Sequence, residues 1–322
     1  MKQASWINYR PEIKILDCTI RDGGLINGHF FEDGLVKAVY ETCIAAGIDY
    51  MELGYKGDKK IFAPDKHGDW KYCDEDNIRR IVGDNDSPLK LSVMADAEKC
   101  DYKTDIIPKD QSVIDLIRVA TYIHQVPTAV AMIKDAKDKG YEVTVNLMAV
   151  SVVQERELNE ALDIFVQTDV DAIILVDSYG VLYSEQVNDY IKRYLKAVKD
   201  TGKEVGIHAH NNQQLAFANT IDALVAGANR LDATMSGIGR GAGNCPMELL
   251  LGFLHNPKFN LRPVLQCIQD YFVPLREQIE WGCLVPYFIT AHFNQHPRSA
   301  IELRAGEDKD EYVEFYDRWN EA

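Results

Sequence analysis

The sequence has no long hydrophobic run and no paired-cysteine motif. No stretch approaches the roughly 18 consecutive apolar residues of a membrane-spanning helix, and residues 1–6 lack the apolar segment of a secretory signal peptide. The seven cysteines are scattered along the chain. An odd, scattered set predicts buried free thiols in a reducing, cytoplasmic location, and it argues against a disulfide framework or a zinc ribbon.

Positive charge is also scarce. The chain has 35 Lys and Arg against 50 Asp and Glu, a formal net charge of −15. Such a field repels phosphate backbones and anionic lipids, so neither nucleic acid nor a membrane is an expected partner. Hydrophobic residues make up 46% of the chain and charged residues 26%, a composition that allows a sizeable globular core and argues against disorder.

Short apolar runs recur along the chain, each followed by helix-like sequence. The runs cover residues 13–18, 49–54, 90–94, 114–120, 142–149, 171–176, 204–210 and 230–234. This alternation is typical of β/α repeats, and near-continuous apolarity suits parallel strands that are buried on both faces. The pattern predicts an α/β fold, a (β/α)8 TIM barrel. A doubly wound sheet is the alternative, but its G-x-G-x-x-G fingerprint is missing after the first run.

The predicted barrel domain occupies residues 1–256, and residues 257–322 are predicted to form a helical C-terminal extension. The elements expected in this extension are helices at 261–281 and 286–294 and a solvated amphipathic helix in the acidic tail at 307–322. Residues 55–88 are rich in Lys, Asp and Gly, and we expect them to form a long loop after the second strand. Loops at that end of barrel strands carry the active sites of such folds.

The sharpest chemical motif is His208-Ala209-His210, at the end of the seventh run. Side chains at positions i and i+2 of a strand point to one face, about 6.6 Å apart at the backbone. Two imidazoles placed in this way can share one metal ion. The plain alternative is a pair of polar residues at the barrel mouth. The position at the carboxyl end of a strand favours a metal site.

Arg21 and Asp22 follow the first run. Closing a barrel brings the first strand close to the seventh, so Asp22 is placed to add an anionic oxygen to the histidine pair. Arg21 beside it is a fixed cation that can hold a carboxylate or stabilise a developing enolate. The alternative is a structural Arg–Asp ion pair followed by a Gly23-Gly24 turn.

A glycine-rich loop follows the eighth run, at residues 235–246. Its glycines allow close backbone approach, and in many barrels this loop cradles phosphate, which is a rival use. Asn244 in this loop has a plain interpretation as the cap of a helix at 246–254.

Three segments together resemble the DRE-TIM metallolyase superfamily, the HMGL-like proteins. They read DCTIRDG at 17–23, HAHNNQQLAFAN at 208–219 and DATMSGIGRGAGNCP at 232–246. The resemblance covers the whole predicted barrel and is closest to the 4-hydroxy-2-oxovalerate aldolase branch. It implies that Asp22, His208 and His210 are metal ligands, that Asn244 is a further ligand or a residue that supports the ligands, and that Arg21 stabilises an enolate.

This chain departs from the pattern of the aldolase branch at two positions that concern proton transfer. Leu25 stands where the aldolase branch has a catalytic histidine. His29, in the same loop, is the expected replacement, and an exposed loop histidine is the alternative. Tyr287 is similar to a tyrosine that the aldolases send into the site from their C-terminal segment, but its register is offset by two residues. Core packing is therefore the alternative for Tyr287.

Five other polar residues lie in the predicted strands or at their ends and are expected to bind substrate. They are Glu52, Arg118, Asn146, Ser178 and Thr234. The alternative for each is that it satisfies polar groups inside the barrel.

These features predict a divalent-metal-dependent aldolase that cleaves a small 4-hydroxy-2-oxo acid through a pyruvate enolate. The ligand types suit Mn²⁺, our first expectation, as well as Mg²⁺, Co²⁺ or Zn²⁺. One alternative is an acyl-CoA Claisen-type synthase or lyase, which the absence of Gly-Glu-Gln after Asp22 and the presence of Met235 in place of a catalytic cysteine disfavour. Another is a catalytically silent barrel that binds a partner or metabolite. A homo-oligomer is compatible with the sequence, and an aldehyde dehydrogenase partner is suggested by family analogy only.

Overall fold

The computed structural model describes residues 10–320, and within them eight parallel strands close into a barrel in chain order. The last strand pairs with the first, Lys14 lying opposite Arg230 and Asp17 opposite Ala233. The strands are β1 (Lys14–Asp17), β2 (Tyr50–Tyr55), β3 (Lys90–Asp96), β4 (Leu116–Thr121), β5 (Glu142–Leu147), β6 (Ala172–Asp177), β7 (Glu204–Ala209) and β8 (Arg230–Ala233). The predicted TIM barrel is confirmed.

Burial on both faces explains why the apolar runs located the strands. Every residue of β2, β4 and β6 is buried. Inward side chains fill the barrel, and outward ones pack under the surrounding helices, as expected for parallel strands.

Helices cover the barrel and continue past it. They are α1 (Thr19–Asn27), α2 (Asp33–Ala46), α3 (Glu75–Val82), α4 (Tyr102–Asp105), α5 (Val126–Asp138), α6 (Glu155–Val166), α7 (Ser184–Ala197), α8 (Ala216–Ala226), α9 (Met247–Leu254), α10 (Leu261–Cys267), α11 (Val273–Leu275), α12 (Val285–His292), α13 (Arg298–Ala305) and α14 (Tyr312–Asn320). Single 3-10 turns, such as Asp69–Lys71, occur in several connections.

The long loop predicted at 55–88 is only partly a loop, because α3 lies within it. Glu75 and Asp76 lie in the first turn of α3, where negative charge complements the helix dipole. Ile78 and Ile81 are buried against the core. The abundance of charged residues concealed this short helix, whose apolar face is only three residues wide.

The C-terminal segment also differs from the expectation. The predicted helix at 261–281 ends early, since a π-helical turn at Ile268–Phe272 separates α10 from the short α11. The predicted tail contains α14, and Phe315 of that helix is buried with Tyr287 and Ile289 of α12. The tail is therefore packed on its inner face. The domain boundary after residue 256 stays a prediction.

All seven cysteines are free thiols. Among residues 10–320, no helix has the length and apolar character needed to cross a bilayer. The first six residues, which lack a signal-peptide pattern, lie outside the described part of the chain. The cytoplasmic location stays a prediction.

Ion pairs close the amino-terminal end of the barrel. Arg230 at the start of β8 reaches carboxylates at the starts of two other strands, 2.6 Å from Glu142 and 2.6 Å from Glu204. Glu142 also accepts hydrogen bonds from Tyr50 and Lys90, each at 2.8 Å. Burial alone would raise the pKa of Glu142, but the charge of Arg230 and these hydrogen bonds lower it to about 2.

Glu142→Gln should therefore destabilise the protein at pH 7 by about 2 kcal/mol, the usual cost of losing hydrogen bonds to charged groups. The folded-state pKa is depressed, so the stabilisation is present above the unfolded pKa of about 4.3 and disappears as pH falls toward 2. The gap between wild type and variant should be smaller at pH 3 than at pH 7. Urea unfolding at both pH values measures this gap.

The control is Glu160→Gln, which removes an exposed pair with Arg156 on α6. This variant should stay within about 0.5 kcal/mol of wild type at both pH values. An unchanged gap for Glu142→Gln between pH 7 and pH 3 would contradict the role assigned to the carboxylate charge.

Candidate active site

Asp22 and Arg21 lie in the first turns of α1, which begins directly after β1. The Gly-Gly turn considered above is wrong, because Gly23 and Gly24 continue this helix. Gly24 is required there, since a Cβ on it would lie 2.1 Å from Nδ1 of His29. The side chains of Arg21 and Asp22 are buried at the carboxyl end of the barrel and form an ion pair with each other.

Two histidines face this aspartate from β7. His208 lies in the strand and His210 one residue beyond its end, with ring centroids 5.1 Å apart. One potential ligand atom from each of Asp22, His208 and His210 lies within 4.8 Å of the other two. The structure therefore brings together the three residues that the sequence suggested as a metal-binding set.

A carboxylate behind His208 orients its ring. Nδ1 of His208 lies 3.1 Å from a carboxylate oxygen of Asp232, on β8. Nε2 then points toward Asp22, 3.4 Å away, and has no hydrogen-bond partner within the described part of the chain. A carboxylate–histidine pair with the other ring nitrogen left open is the usual support of a metal-ligating histidine.

Asn244 completes the set from the loop after β8. Its Nδ2 donates to the carbonyl of Ile238, and its Oδ1 is buried without a partner among residues 10–320. It does not cap α9, which begins at Met247. A Cβ on Gly239 would lie 2.1 Å from Asn244 and 2.7 Å from Asp22, so glycine lets the loop close over both side chains.

These residues fit a divalent cation. One carboxylate, two imidazoles and an amide oxygen are suitable donors, and two of the donor atoms are buried without partners. Burial opposes the charged form of Asp22, but the guanidinium of Arg21 beside it holds the pKa of Asp22 well below the usual value. Burial keeps the pKa of His210 well below its usual value, so this ring is neutral and its lone pair is available.

Below this set, buried charges of alternating sign form a closed ring. Glu52 of β2 accepts hydrogen bonds from Arg21 at 2.7 Å and from Arg118 at 2.9 Å. Arg118, on β4, also pairs with Asp232. The members of this charge ring are Asp22, Arg21, Glu52, Arg118, Asp232 and His208.

Three residues that we expected to bind substrate lie away from the cavity, two in this ring and one beside the loop after β8. Glu52 and Arg118 are at most 1% exposed and are engaged with each other in the barrel interior. Thr234 is fully buried, and its backbone pairs with the loop after β8. Within the described range, none of the three lines the cavity above the ring. We therefore assign Glu52 and Arg118 the role of positioning Arg21 and Asp232, with which they form ion pairs.

A cavity of about 250 Å³ opens above the metal-binding set. Asn146 and Ser178 line it, as expected for residues that contact substrate. Its walls are formed by Arg21, Asp22, Leu25, Tyr55, Phe62, Lys71, Met94, Asp96, Lys99, Ala120, Tyr122, Asn146, Met148, Val176, Ser178, His208, His210 and Arg240.

The two expected proton-transfer residues lie elsewhere. His29 is 2% exposed and packs edge-on against Tyr55. Burial lowers its pKa to about 3, so the ring is neutral. Tyr287 lies in the apolar cluster with Phe315. Neither residue belongs to the cavity wall in the range 10–320. His29 lies against Gly24 of α1, and Tyr287 packs among the C-terminal helices. This placement disfavours the direct contact with substrate that we expected for both residues.

Several wall residues were missed by the sequence analysis. Tyr55 is the last residue of β2, and Lys71 lies in the 3-10 turn after it. Asp96 is the last residue of β3, and Lys99 lies in the loop that follows. Tyr55 and Lys71 belong to the Lys- and Asp-rich segment at 55–88, which was their one sequence signal, whereas Asp96 and Lys99 lie beyond that segment. Arg240 lies in the glycine-rich loop at 235–246, whose glycines gave the stronger sequence pattern.

Comparisons with known proteins indicate the family to which the chain belongs. Residues 115–270 match the model of the HMGL-like family. A 4-hydroxy-2-oxovalerate aldolase from Pelotomaculum thermopropionicum is 30% identical, over 81% of this chain and 75% of the relative. An oxaloacetate decarboxylase from Mycobacterium tuberculosis is also 30% identical, over 74% of this chain and 69% of the relative.

A solved structure has the same architecture. The N-terminal domain of a proposed aldolase from Bacteroides vulgatus superposes with a TM-score of 0.76 and 29% identity, covering 90% of this chain and 96% of that one.

The geometry predicts that His210→Gln weakens Mn²⁺ binding by more than about 100-fold, because it removes an imidazole that would bind the ion directly. Mutation of a residue that only supports a metal ligand already lowers metal affinity about 10- to 100-fold. Isothermal titration of Mn²⁺ into chelator-treated protein measures the affinity. His124→Gln, a change at an exposed histidine, is the control and should bind like wild type. Equal affinity in the two variants would exclude His210 as a ligand.

Proposed function

This chain belongs to the HMGL-like family, and we propose that it is a divalent-metal-dependent aldolase that cleaves a 4-hydroxy-2-oxo acid to pyruvate and an aldehyde. The relatives named as 4-hydroxy-2-oxovalerate aldolases support a lyase of this kind. The wall of the cavity supports the choice of substrate class.

One observation carries the proposal. Three wall residues next to the metal-binding set have buried N–H groups without partners in the described chain: Arg21 at Nη2, Asn146 at Nδ2 and Arg240 at Nε. A buried donor without an acceptor is costly unless a ligand supplies one. Three such donors predict a small ligand rich in oxygen atoms, which describes a 2-oxo acid.

Asp22, His208, His210 and Asn244 would hold the metal. When bound, the metal supplies Lewis-acid polarisation of the substrate's keto group. Mn²⁺ is our proposed ion, because a mixture of carboxylate, amide and imidazole donors suits it.

Arg21 provides the second positive contact. Its Nε donates to Glu52, which fixes the plane of the guanidinium and leaves Nη2 as a free donor. During cleavage the bond between C3 and C4 breaks, and its electron pair moves toward the keto oxygen. A fixed donor at that oxygen stabilises the growing negative charge more than the ground state.

The proton of the 4-hydroxyl must leave in the same step, and C3 must receive one afterwards. Leu25, at the position of the family's histidine, offers only an apolar surface to the cavity. His29 and Tyr287 are covered, so we propose that water in the cavity transfers the proton.

A second candidate activity is decarboxylation of a 2-oxo dicarboxylic acid, and the relative named oxaloacetate decarboxylase favours it. It would use the same metal-binding set and the same donors, because loss of CO₂ also leaves negative charge on the keto oxygen. The acyl-CoA reaction has weaker support. Solved HMG-CoA lyases, such as that of Brucella melitensis at 15% identity and a TM-score of 0.67, share the fold. The oligomeric state and a dehydrogenase partner stay predictions.

Arg21→Lys tests the proposed role of Arg21. Lysine keeps the charge but loses the planar fork that contacts Glu52 and the substrate together. We expect kcat for cleavage of 4-hydroxy-2-oxovalerate to fall about 10²–10³-fold, with Mn²⁺ affinity nearly unchanged. Pyruvate release coupled to lactate dehydrogenase measures kcat. Full activity in the variant would contradict the proposal.

His29→Asn tests the proton route. Because His29 is covered and neutral at working pH, the variant should keep kcat within about threefold of wild type and the same acidic limb of the pH–rate profile. Loss of that limb together with a large fall in kcat would show that His29 moves the proton after all.

A further inference from the structure

Lys71 is a buried lysine in the cavity wall, 6% exposed. Its Nζ lies 3.8 Å from the ring centroid of Phe62 and 4.3 Å from that of Tyr55. No hydrogen-bond or ion-pair partner of this ammonium group is present among residues 10–320. Two aromatic faces offset part of the desolvation cost, but three N–H donors remain free.

The backbone fixes this lysine in place. Lys71 ends a 3-10 turn, its N–H donates to Gly68 at 3.0 Å, and its carbonyl accepts from Gly57 at 2.9 Å. A Cβ on Gly57 would lie 2.9 Å from that carbonyl, so glycine permits the close contact. The loop after β2 therefore fixes the backbone from which the Lys71 side chain extends toward the two aromatic rings.

The surrounding groups leave Lys71 available to a ligand. Asp96, the acidic wall residue that faces it, lies beyond ion-pair distance of Lys71 and is 4.0 Å from Lys99. Burial lowers the pKa of Lys71 to about 8, with opposing effects from the charges of Asp96 and Lys99. Lys71 is therefore still mostly protonated at pH 7.

The cavity carries more positive than negative charge, although the whole chain is acidic. Its wall has the cations Arg21, Lys71, Lys99 and Arg240 and the carboxylates Asp22 and Asp96.

Most of these cations are already engaged. Arg21 is committed to the charge ring, and the two Nη atoms of Arg240 contact His296 and the carbonyl of Ser178. Lys99 is half-exposed beside Asp96. Lys71 is the buried cation of the wall whose terminal donors are all unused within the described residues.

We propose that Lys71 binds a second carboxylate at the far end of the substrate, so that the enzyme prefers 4-hydroxy-2-oxo dicarboxylic acids. This inference rests on the proposed function. The Tyr55 ring lies between the two ends of the site. The Arg21 guanidinium is 5.9 Å from the centroid of this ring, and the Lys71 ammonium is 4.3 Å from the same centroid.

A five-carbon diacid, 4-hydroxy-2-oxoglutarate, is the test compound. Cleavage of its C3–C4 bond gives pyruvate and glyoxylate, and the 4-hydroxyl proton is returned at C3 of pyruvate.

The same contact disfavours decarboxylation at this end. A carboxylate that leaves as CO₂ loses its negative charge, so a cation bound to it stabilises the ground state more than the transition state. Lys71 is therefore suited to a carboxylate that is retained.

The test compares two substrates that differ in the far group, 4-hydroxy-2-oxoglutarate and 4-hydroxy-2-oxovalerate, using the Mn²⁺-loaded enzyme. Lys71→Met should lower kcat/KM for the diacid about 30- to 100-fold, since losing one partner of a buried charge pair has an effect of this size. Its kcat/KM for the monoacid should change less than about threefold, because that substrate has no second carboxylate to lose a partner. Lys71→Arg should keep the preference for the diacid.

Lys59→Met is the matched control. Lys59 lies on the same loop over the ring of Tyr72, but it is exposed and paired with Asp74. This variant should retain the wild-type ratio of the two kcat/KM values. Thermal melting of each variant checks that it is folded.

Three results would overturn the proposal. They are equal kcat/KM of the wild type for both substrates, equal loss of both activities in Lys71→Met, and loss of preference in Lys71→Arg. A further measurement distinguishes failure of the Lys71 proposal from failure of the proposed aldolase function. It follows by NMR the exchange of the pyruvate methyl protons for deuterium. Exchange without diacid preference contradicts the role of Lys71 alone, whereas absence of both exchange and cleavage contradicts the aldolase as well.

Discussion

The active site depends on a closed ring of buried charges inside the barrel. Asp22, Arg21, Glu52, Arg118 and Asp232 alternate in sign, and His208 closes the ring. Each charge is costly to bury alone, and removal of one partner leaves another uncompensated. The strands that carry these residues are thereby held in one register around the site, so the same interactions serve folding and chemistry.

The ring also gives different roles to chemically similar groups, namely the two arginine guanidinium groups and the two ring nitrogens of His208. Both Nη groups of Arg118 donate to carboxylates, whereas Nη2 of Arg21, a cavity-wall residue, has no hydrogen-bond partner among residues 10–320. His208 uses Nδ1 to contact Asp232 and presents Nε2 to the metal-binding set. Orientation by a buried partner is what separates a reactive group from a supporting one.

Polar groups left without partners form a coherent pattern. Within the described chain, unpartnered acceptor atoms occur on His208 and Asn244 of the metal-binding set and on Asp96 of the cavity wall, and unpartnered donors occur on the wall residues Arg21, Asn146 and Arg240. A cation satisfies the acceptors of the metal-binding set, and an anionic, oxygen-rich ligand satisfies the donors. Lys71 adds a positive charge at the far wall. Since unpaired buried polar groups are costly, the protein has kept these atoms free for ligands.

Local sequence patterns were enough to predict the barrel and to group Asp22, His208 and His210 as candidate metal ligands. Eight apolar runs located the strands because both faces of a parallel strand are buried, and His208 and His210 fell on one face through the two-residue period of a strand. Which polar residues reach the cavity depends instead on the fold as a whole. Glu52 and Arg118 turned inward to pair with each other, and Lys71 entered the wall from a loop. Such placements follow from loop paths and from charge pairs between distant strands, which local periodicity does not encode.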